Sequence, residues 1–238
     1  GYGGAGGDPM LDWGLAPGLL NSSTLHHAAG YPLAIAAPRL EAVGGEDQDD
    51  PGLRNRYQNN GVERLLVRTR LPLDERLVSL TDPGLPLEAE GSLTIASPVN
   101  AVVKLAGGLD LRFRQGQGLL LAGGDQRADL SFGPGRSGRP VTLGPLDPAA
   151  GWSGVRAGKG AALNGAGLLL QGPLSGGEAL LDLDQAAAEL SELQLDGQQA
   201  SAVGLRIGPG ATLGLSRSKL QGCDTGILAL AGASAVLE

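Results

Sequence analysis

The stretch GWSGVRAGKGAALNGAGLLLQG, residues 151 to 172, admits two readings that lead to different folds. Read as a phosphate loop, Gly154-x-x-x-Gly158-Lys159-Gly160 would cradle phosphates with its backbone amides and hand over to a helix. Read as part of a stacked β-coil, its glycines are corners and its apolar runs are strands. The phosphate loop fails three of its own requirements. It needs four residues between the first glycine and Gly-Lys, a Ser or Thr after the lysine to hold Mg²⁺, and an unbroken helix beyond. Here the spacing is three, Gly160 follows Lys159, and Gly165 and Gly167 fall where the helix would run. Nucleotide binding is set aside. Trp152, Gly154 and Val155 then open a coil, Gly158 and Gly160 turn it, Leu168 to Leu170 form the next strand, and Lys159 is an exposed corner residue.

The same texture extends in both directions. GSLTIASPVNAVVKLAGG, LDLRFRQGQGLLLAGGDQ and ADLSFGPGRSGRPVTLGPLDPAAG each open on an apolar-x-apolar step, namely Leu93-Thr94-Ile95, Leu109 to Phe113 and Leu130-Ser131-Phe132. The offsets Leu93 to Leu111 and Leu111 to Leu130 are 18 and 19 residues. Short alternating strands at such a period, separated by glycine corners, predict a solenoid. The phrase GPG at 133–135 and again at 208–210 reads as one kind of corner used twice. Only GGEALLDLDQAAAELSELQLDG, residues 176 to 197, competes as a helix, and its Leu181-Asp182-Leu183-Asp184 alternation fits strand as well.

Composition agrees with that reading. Forty-one glycines and 15 prolines accompany 42% hydrophobic residues, and only two Trp, three Tyr and two Phe occur, so the core must be aliphatic. A net charge of −7 with scattered arginines excludes nucleic acid, which needs a clustered basic surface. No apolar run reaches the ~18 residues of a spanning helix. A single cysteine, Cys223, forms no intrachain disulfide and reads as a small packed thiol.

Residues 1 to 60 show no sustained period and are expected to form an irregular N-terminal tether or cap before a β-helix over 61–238. The opening GYGGAGGDP suggests a flexible tether of the kind that follows a signal cleavage site or a lipid-bearing cysteine, hence an extracellular or outer-surface location with a lipid anchor in view. The closing SAVLE is strand-like with no polar cap. The expectation is that coils are missing at the C-terminus, or that the open end pairs with another chain.

Three phrases in order carry a family likeness: Phe132-Gly133-Pro134-Gly135, then Arg139-Pro140-Val141-Thr142-Leu143, then Gly151-Trp152-Ser153-Gly154-Val155. With VGLRIGPGATLGLSRSKLQGCDTGILAL following, residues 91 to 236 resemble the right-handed parallel β-helix repeat proteins, the pectate-lyase-like solenoids, of the bacterial secreted or surface type. The resemblance implies an all-β, right-handed parallel β-helix. It implies little about activity, because the family spans polysaccharide lyases, hydrolases and adhesins.

If the chain were an enzyme of that kind, it would need a carboxylate cluster for Ca²⁺ with an Arg or Lys base, or paired aspartates as acid and base. From Gly91 onward only Asp182 and Asp184 stand at the i, i+2 spacing that shares one strand face, and Arg206 on the next coil would complete a sugar-acid site. Solvated outward carboxylates are the simpler reading. Glycan-gripping enzymes stack sugars on Trp or Tyr, yet from Gly91 there is one Trp and no Tyr, and Trp152 is expected to pack at a corner. Asp47, Asp49 and Asp50 in EDQDDPG alternate as Ca²⁺ ligands might, without the Gly and terminal Glu of an EF-type loop. His26 and His27, being adjacent, are expected on opposite sides of a strand and so not to share a metal. The sequence therefore points to a non-catalytic surface β-helix without a cofactor, Ca²⁺ being the one candidate ion, that engages a glycan, a surface protein or copies of itself. A lyase or hydrolase and a self-assembling surface subunit are the alternatives.

Overall fold

The computed structural model describes residues 9–14, 19–37, 43, 54–69, 77–95, 101–122, 124, 127–133, 138–198 and 203–238. They form a parallel β-solenoid of about 7 turns. Each full coil passes through three sheets, of nine, six and seven strands, and a two-stranded sheet stands apart. The chain visits them in fixed order. Asp110–Phe113 lies in the first sheet, Leu119–Leu121 in the second and Ala128–Gly133 in the third, and Val141–Pro145 returns to the first. The segment from Gly176 to Gly197 is strand throughout its regular parts: Ala179–Leu183, Ala187–Ser191 and Gln194–Asp196 occupy the second, third and first sheets.

Stacked aliphatic ladders make the core. In the first sheet Leu87, Leu111, Leu143, Leu170, Leu195 and Leu220 stand in register, and in the second Leu93, Leu119, Val155, Leu181, Leu205 and Ile227 do the same. Strand alternation sends these residues inward while their neighbours lie on the outer face of the sheet, so each coil covers the apolar surface of the one before.

The repeat differs from the 18–19 residue offset read along the sequence. Leu87, Leu111, Leu143, Leu170, Leu195 and Leu220 are spaced by 24, 32, 27, 25 and 25 residues. Leu93, Leu111 and Leu130 lie in the second, first and third sheets, so the shorter offset spans two of the three sides of a coil. Apolar-x-apolar steps on different sides look alike in sequence because all three sheets face one interior. The two GPG phrases are likewise not equivalent. Gly133 closes a strand of the third sheet, with Pro134 and Gly135 outside the described residues, whereas Gly208 to Gly210 turn the chain from the second sheet to the third.

The N-terminal region contributes more than an irregular cap. Leu11–Gly14 and Leu33–Ala36 extend the first sheet beyond Leu65–Arg68, so that sheet crosses the boundary expected at residue 60. The second and third sheets begin only at Leu93–Ile95 and Leu77–Leu80, which leaves the early coils one-sided among the described residues. Beside them Thr24–His26 pairs in parallel with Arg56–Gln58. At the other end Ser234–Leu237 is a strand of the third sheet, with Val236 60% and Leu237 57% exposed.

In the opening stretch, Val155–Ala157, Ala161–Ala166 and Leu168–Gln171 are strands of three successive sheets, the chain turns between Gly158 and Ala161, and Lys159 is exposed at that corner. Trp152 is fully buried and stacks on Phe113 of the preceding coil, with centroids 5.5 Å apart and planes 16° off parallel. Its role is packing. It presents no ring to solvent for a sugar to stack on.

Candidate functional site

Charge on a solenoid can stand only on the outward positions, so a site must be assembled from residues that different coils present side by side. On the second sheet, Asp182 lies in register between Arg156 and Arg206. Arg206 Nη1 donates to Asp182 Oδ1 at 2.8 Å, Arg156 Nε stands 3.6 Å from Oδ2, and Arg206 also reaches Glu178 at 3.1 Å. Hydrogen bonding to Asp182 raises the Arg206 guanidinium above its ordinary range. The structure thus brings Arg206 to Asp182, as the spacing suggested, but separates the roles of the two aspartates: Asp182 is 4% exposed and held by two arginines, while Asp184 is exposed just past the strand end. Asp182→Asn removes the charge that the two guanidiniums share. It is expected to lower unfolding stability by about 1–2 kcal/mol, whereas Asp184→Asn should change it by less than about 0.5 kcal/mol, as read by denaturant titration.

The first sheet carries a second, larger network. Glu88, 3% exposed, accepts from Arg114 Nε at 3.0 Å and Nη2 at 2.8 Å, and Arg64 Nη1 stands 3.7 Å from its other oxygen. The hydrogen bond to Glu88 raises the Arg114 guanidinium, and burial followed by the bond to Glu88 raises the Tyr31 phenol. This cluster ties the N-terminal segment to the coils. One strand on, Asp110 and Arg112, two residues apart on the same face, pair at 2.5 Å and 3.1 Å. Gly144 is the in-register neighbour of Arg112, and a Cβ there would stand 3.0 Å from Arg112 Nη1. Its absence lets the guanidinium lie along the sheet.

These residues border a furrow made of three adjoining clefts. A cleft of about 430 Å³ is lined by Asp82, Leu85, Pro86, Asp110 and Arg139 among others. It shares Pro86 and Asp110 with one of about 350 Å³ that adds Glu63, Arg64, Arg112 and Leu146. A small third cleft of about 160 Å³, lined by Tyr57, Asn59 and Asn60, shares Leu85 with the first and Glu63 with the second. Asp82 is buried, accepting from the Gly84 amide at 2.9 Å and from Arg139 Nη2 at 2.6 Å. The furrow therefore offers guanidinium and amide donors, carboxylate acceptors, a tyrosine and a floor of proline and leucine. Such a lining suits a polyhydroxylated ligand. Its aspartates are committed to arginines, Asp82 to Arg139 and Asp110 to Arg112, an arrangement for holding rather than for proton transfer.

Asp47, Asp49 and Asp50 lie outside the described residues. Among the described residues no three His, Cys, Asp or Glu side chains stand together as a metal would require, and no helix is long and apolar enough to cross a membrane. Cys223 is half-buried, and burial pushes its thiol up. Sequence reading missed the furrow because its lining comes from both sides of the boundary placed at residue 60, with Tyr57, Asn59 and Asn60 in the part read as a tether or cap. The signal available was RNRYQNNG, an aromatic among arginines and asparagines. Comparisons with family models, with curated proteins and with solved structures find no match for this chain.

Proposed function

We propose that this protein is a non-catalytic, secreted or surface-displayed β-helix, of the pectate-lyase-like bacterial kind its motifs resemble, that binds a glycan in the furrow beside its first sheet. The observation that carries the reading is the continuity of the three clefts. Through shared Leu85, Pro86, Asp110 and Glu63 they line up the guanidiniums of Arg64, Arg112 and Arg139 with the ring of Tyr57. A sugar chain needs that alternation of apolar contact and fixed polar groups, and a rigid solenoid supplies it without ordering cost in the protein. The alternative, a lyase or hydrolase centred on Asp182, Asp184 and Arg206, has its principal carboxylate already bridged by two arginines.

Titration with a panel of acidic and neutral polysaccharides, with and without Ca²⁺ and with product analysis, tests the reading. Binding without new reducing ends or unsaturated products is expected. Arg112→Ala or Arg139→Ala should weaken it by about 5- to 30-fold, the range of an arginine anchor at a binding surface, while Asp184→Asn leaves it unchanged. Release of product, abolished by Asp182→Asn and Asp184→Asn, would replace the binding module with an enzyme.

A further inference from the structure

Strand alternation places the side chains of adjacent residues on opposite faces, but His26 and His27 escape it. His26 closes the strand Thr24–His26, and His27 takes a φ of 58°, a left-handed conformation that L-residues seldom adopt. That single torsion swings the second imidazole back beside the first. The rings meet edge to face with centroids 4.9 Å apart, and their Nδ1 atoms are 2.7 Å apart.

The dipeptide is held from outside. The His27 amide donates to the Gln58 carbonyl at 3.2 Å. Asn60 brackets both ends of the pair: its Oδ1 accepts from the Ala28 amide at 3.0 Å and its Nδ2 donates to the Leu25 carbonyl at 3.1 Å. A single asparagine therefore fixes the backbone immediately before and after the two histidines, so the unfavourable φ is imposed by the surroundings.

We propose that His26 and His27 together chelate one divalent transition-metal ion through their two Nδ1 atoms, Cu²⁺ in preference to Ni²⁺ or Zn²⁺. Metal–nitrogen bonds of about 2.0–2.1 Å place cis imidazole nitrogens about 3 Å apart, so the pair needs to open by only a few tenths of an ångström. Each neutral ring carries one N–H. On binding, both rings present an unprotonated Nδ1 and keep their proton on Nε2, a change of tautomer that requires no net loss of protons. Both histidines are exposed, which leaves the remaining coordination positions to water. Imidazole and water form the tetragonal set that Cu²⁺ favours, and the order of divalent affinities puts Cu²⁺ above its neighbours. No third protein ligand stands with the pair among the described residues, so the ion is exchangeable.

Titration of the full chain with CuCl₂ in a non-coordinating buffer, followed by calorimetry and by electron paramagnetic resonance, tests the site. One Cu²⁺ per chain with hyperfine coupling to two imidazole nitrogens is expected, and Ni²⁺ and Zn²⁺ should bind more weakly. His26→Gln and His27→Asn should each weaken Cu²⁺ by at least about tenfold, since the second bond of a chelate forms intramolecularly. The Asn variant tolerates the left-handed φ, and unchanged circular dichroism shows that the fold is kept. Copper uptake equal in wild type and in the double variant, or a signal from one nitrogen only, would overturn the proposal.

Discussion

Trp152→Ala is expected to lower the stability of the folded chain by about 3–5 kcal/mol, at the upper end of what a single core truncation costs. The indole is fully buried, stacked on Phe113 of the coil before it, and its backbone is tied to the coil after it: the Trp152 amide donates to the Pro173 carbonyl at 3.1 Å and its own carbonyl accepts from Ser175 at 2.7 Å. Truncation leaves a cavity where three successive coils meet, and rigid ladders on either side cannot collapse into it. Trp152→Phe should recover most of the loss. The indole N–H finds no acceptor among the described residues, so replacing it by an apolar ring also removes a buried unsatisfied donor. Chemical denaturation read by circular dichroism measures both variants. Equal losses for Ala and Phe would mean that the ring's volume is not what stabilises the corner.

Gly165→Ala is expected to destabilise by about 3–4 kcal/mol, which is unusual for the addition of one methyl group. Gly165 stands in register between Phe132 and Leu190 on the third sheet. A Cβ there would lie 1.9 Å from the Phe132 carbonyl oxygen and 2.9 Å from its ring, and the residue has a φ of 149°. Phe132 occupies the volume that a side chain at Gly165 would need. The control is Gly176→Ala. That glycine also has a positive φ, 82°, but nothing lies within 4 Å of its missing Cβ, so only the backbone term of about 1 kcal/mol should appear. Similar losses at the two positions would show that the clash at Gly165 relaxes.

These two positions show what could be read from the residues alone. Glycine corners and Leu-x-Leu steps identify a β-solenoid because they report on the local backbone and on one interior, both of which are short-range properties. The length of a coil is not short-range. Corners of different lengths, as between Pro145 and Val155 or between Ala166 and Leu168, shift the phase, and the equivalence of Leu87, Leu111 and Leu143 is visible only once the strands are paired. The pairing of Asp182 with Arg206 was legible because both belong to regular coils 24 residues apart. The furrow was not, since Tyr57 comes from a segment with no period, and it, Glu63 and Asp82 meet Asp110 and Arg139 only through stacking. The placement of His26 and His27 on opposite sides was misread for the simplest reason, that a single left-handed torsion cancels the alternation on which it relied.

Placing the ligand on the furrow makes the account vulnerable to a single kind of measurement, the hydrogen-exchange footprint of a bound oligosaccharide. Amides protected on binding should fall at 57–64, 82–86, 108–112 and 138–148, the segments that line the three clefts, and the oligosaccharide should be recovered with its length unchanged. Protection centred instead on the outer face of Arg156, Asp182 and Arg206, or recovery of shortened sugar, would contradict the account.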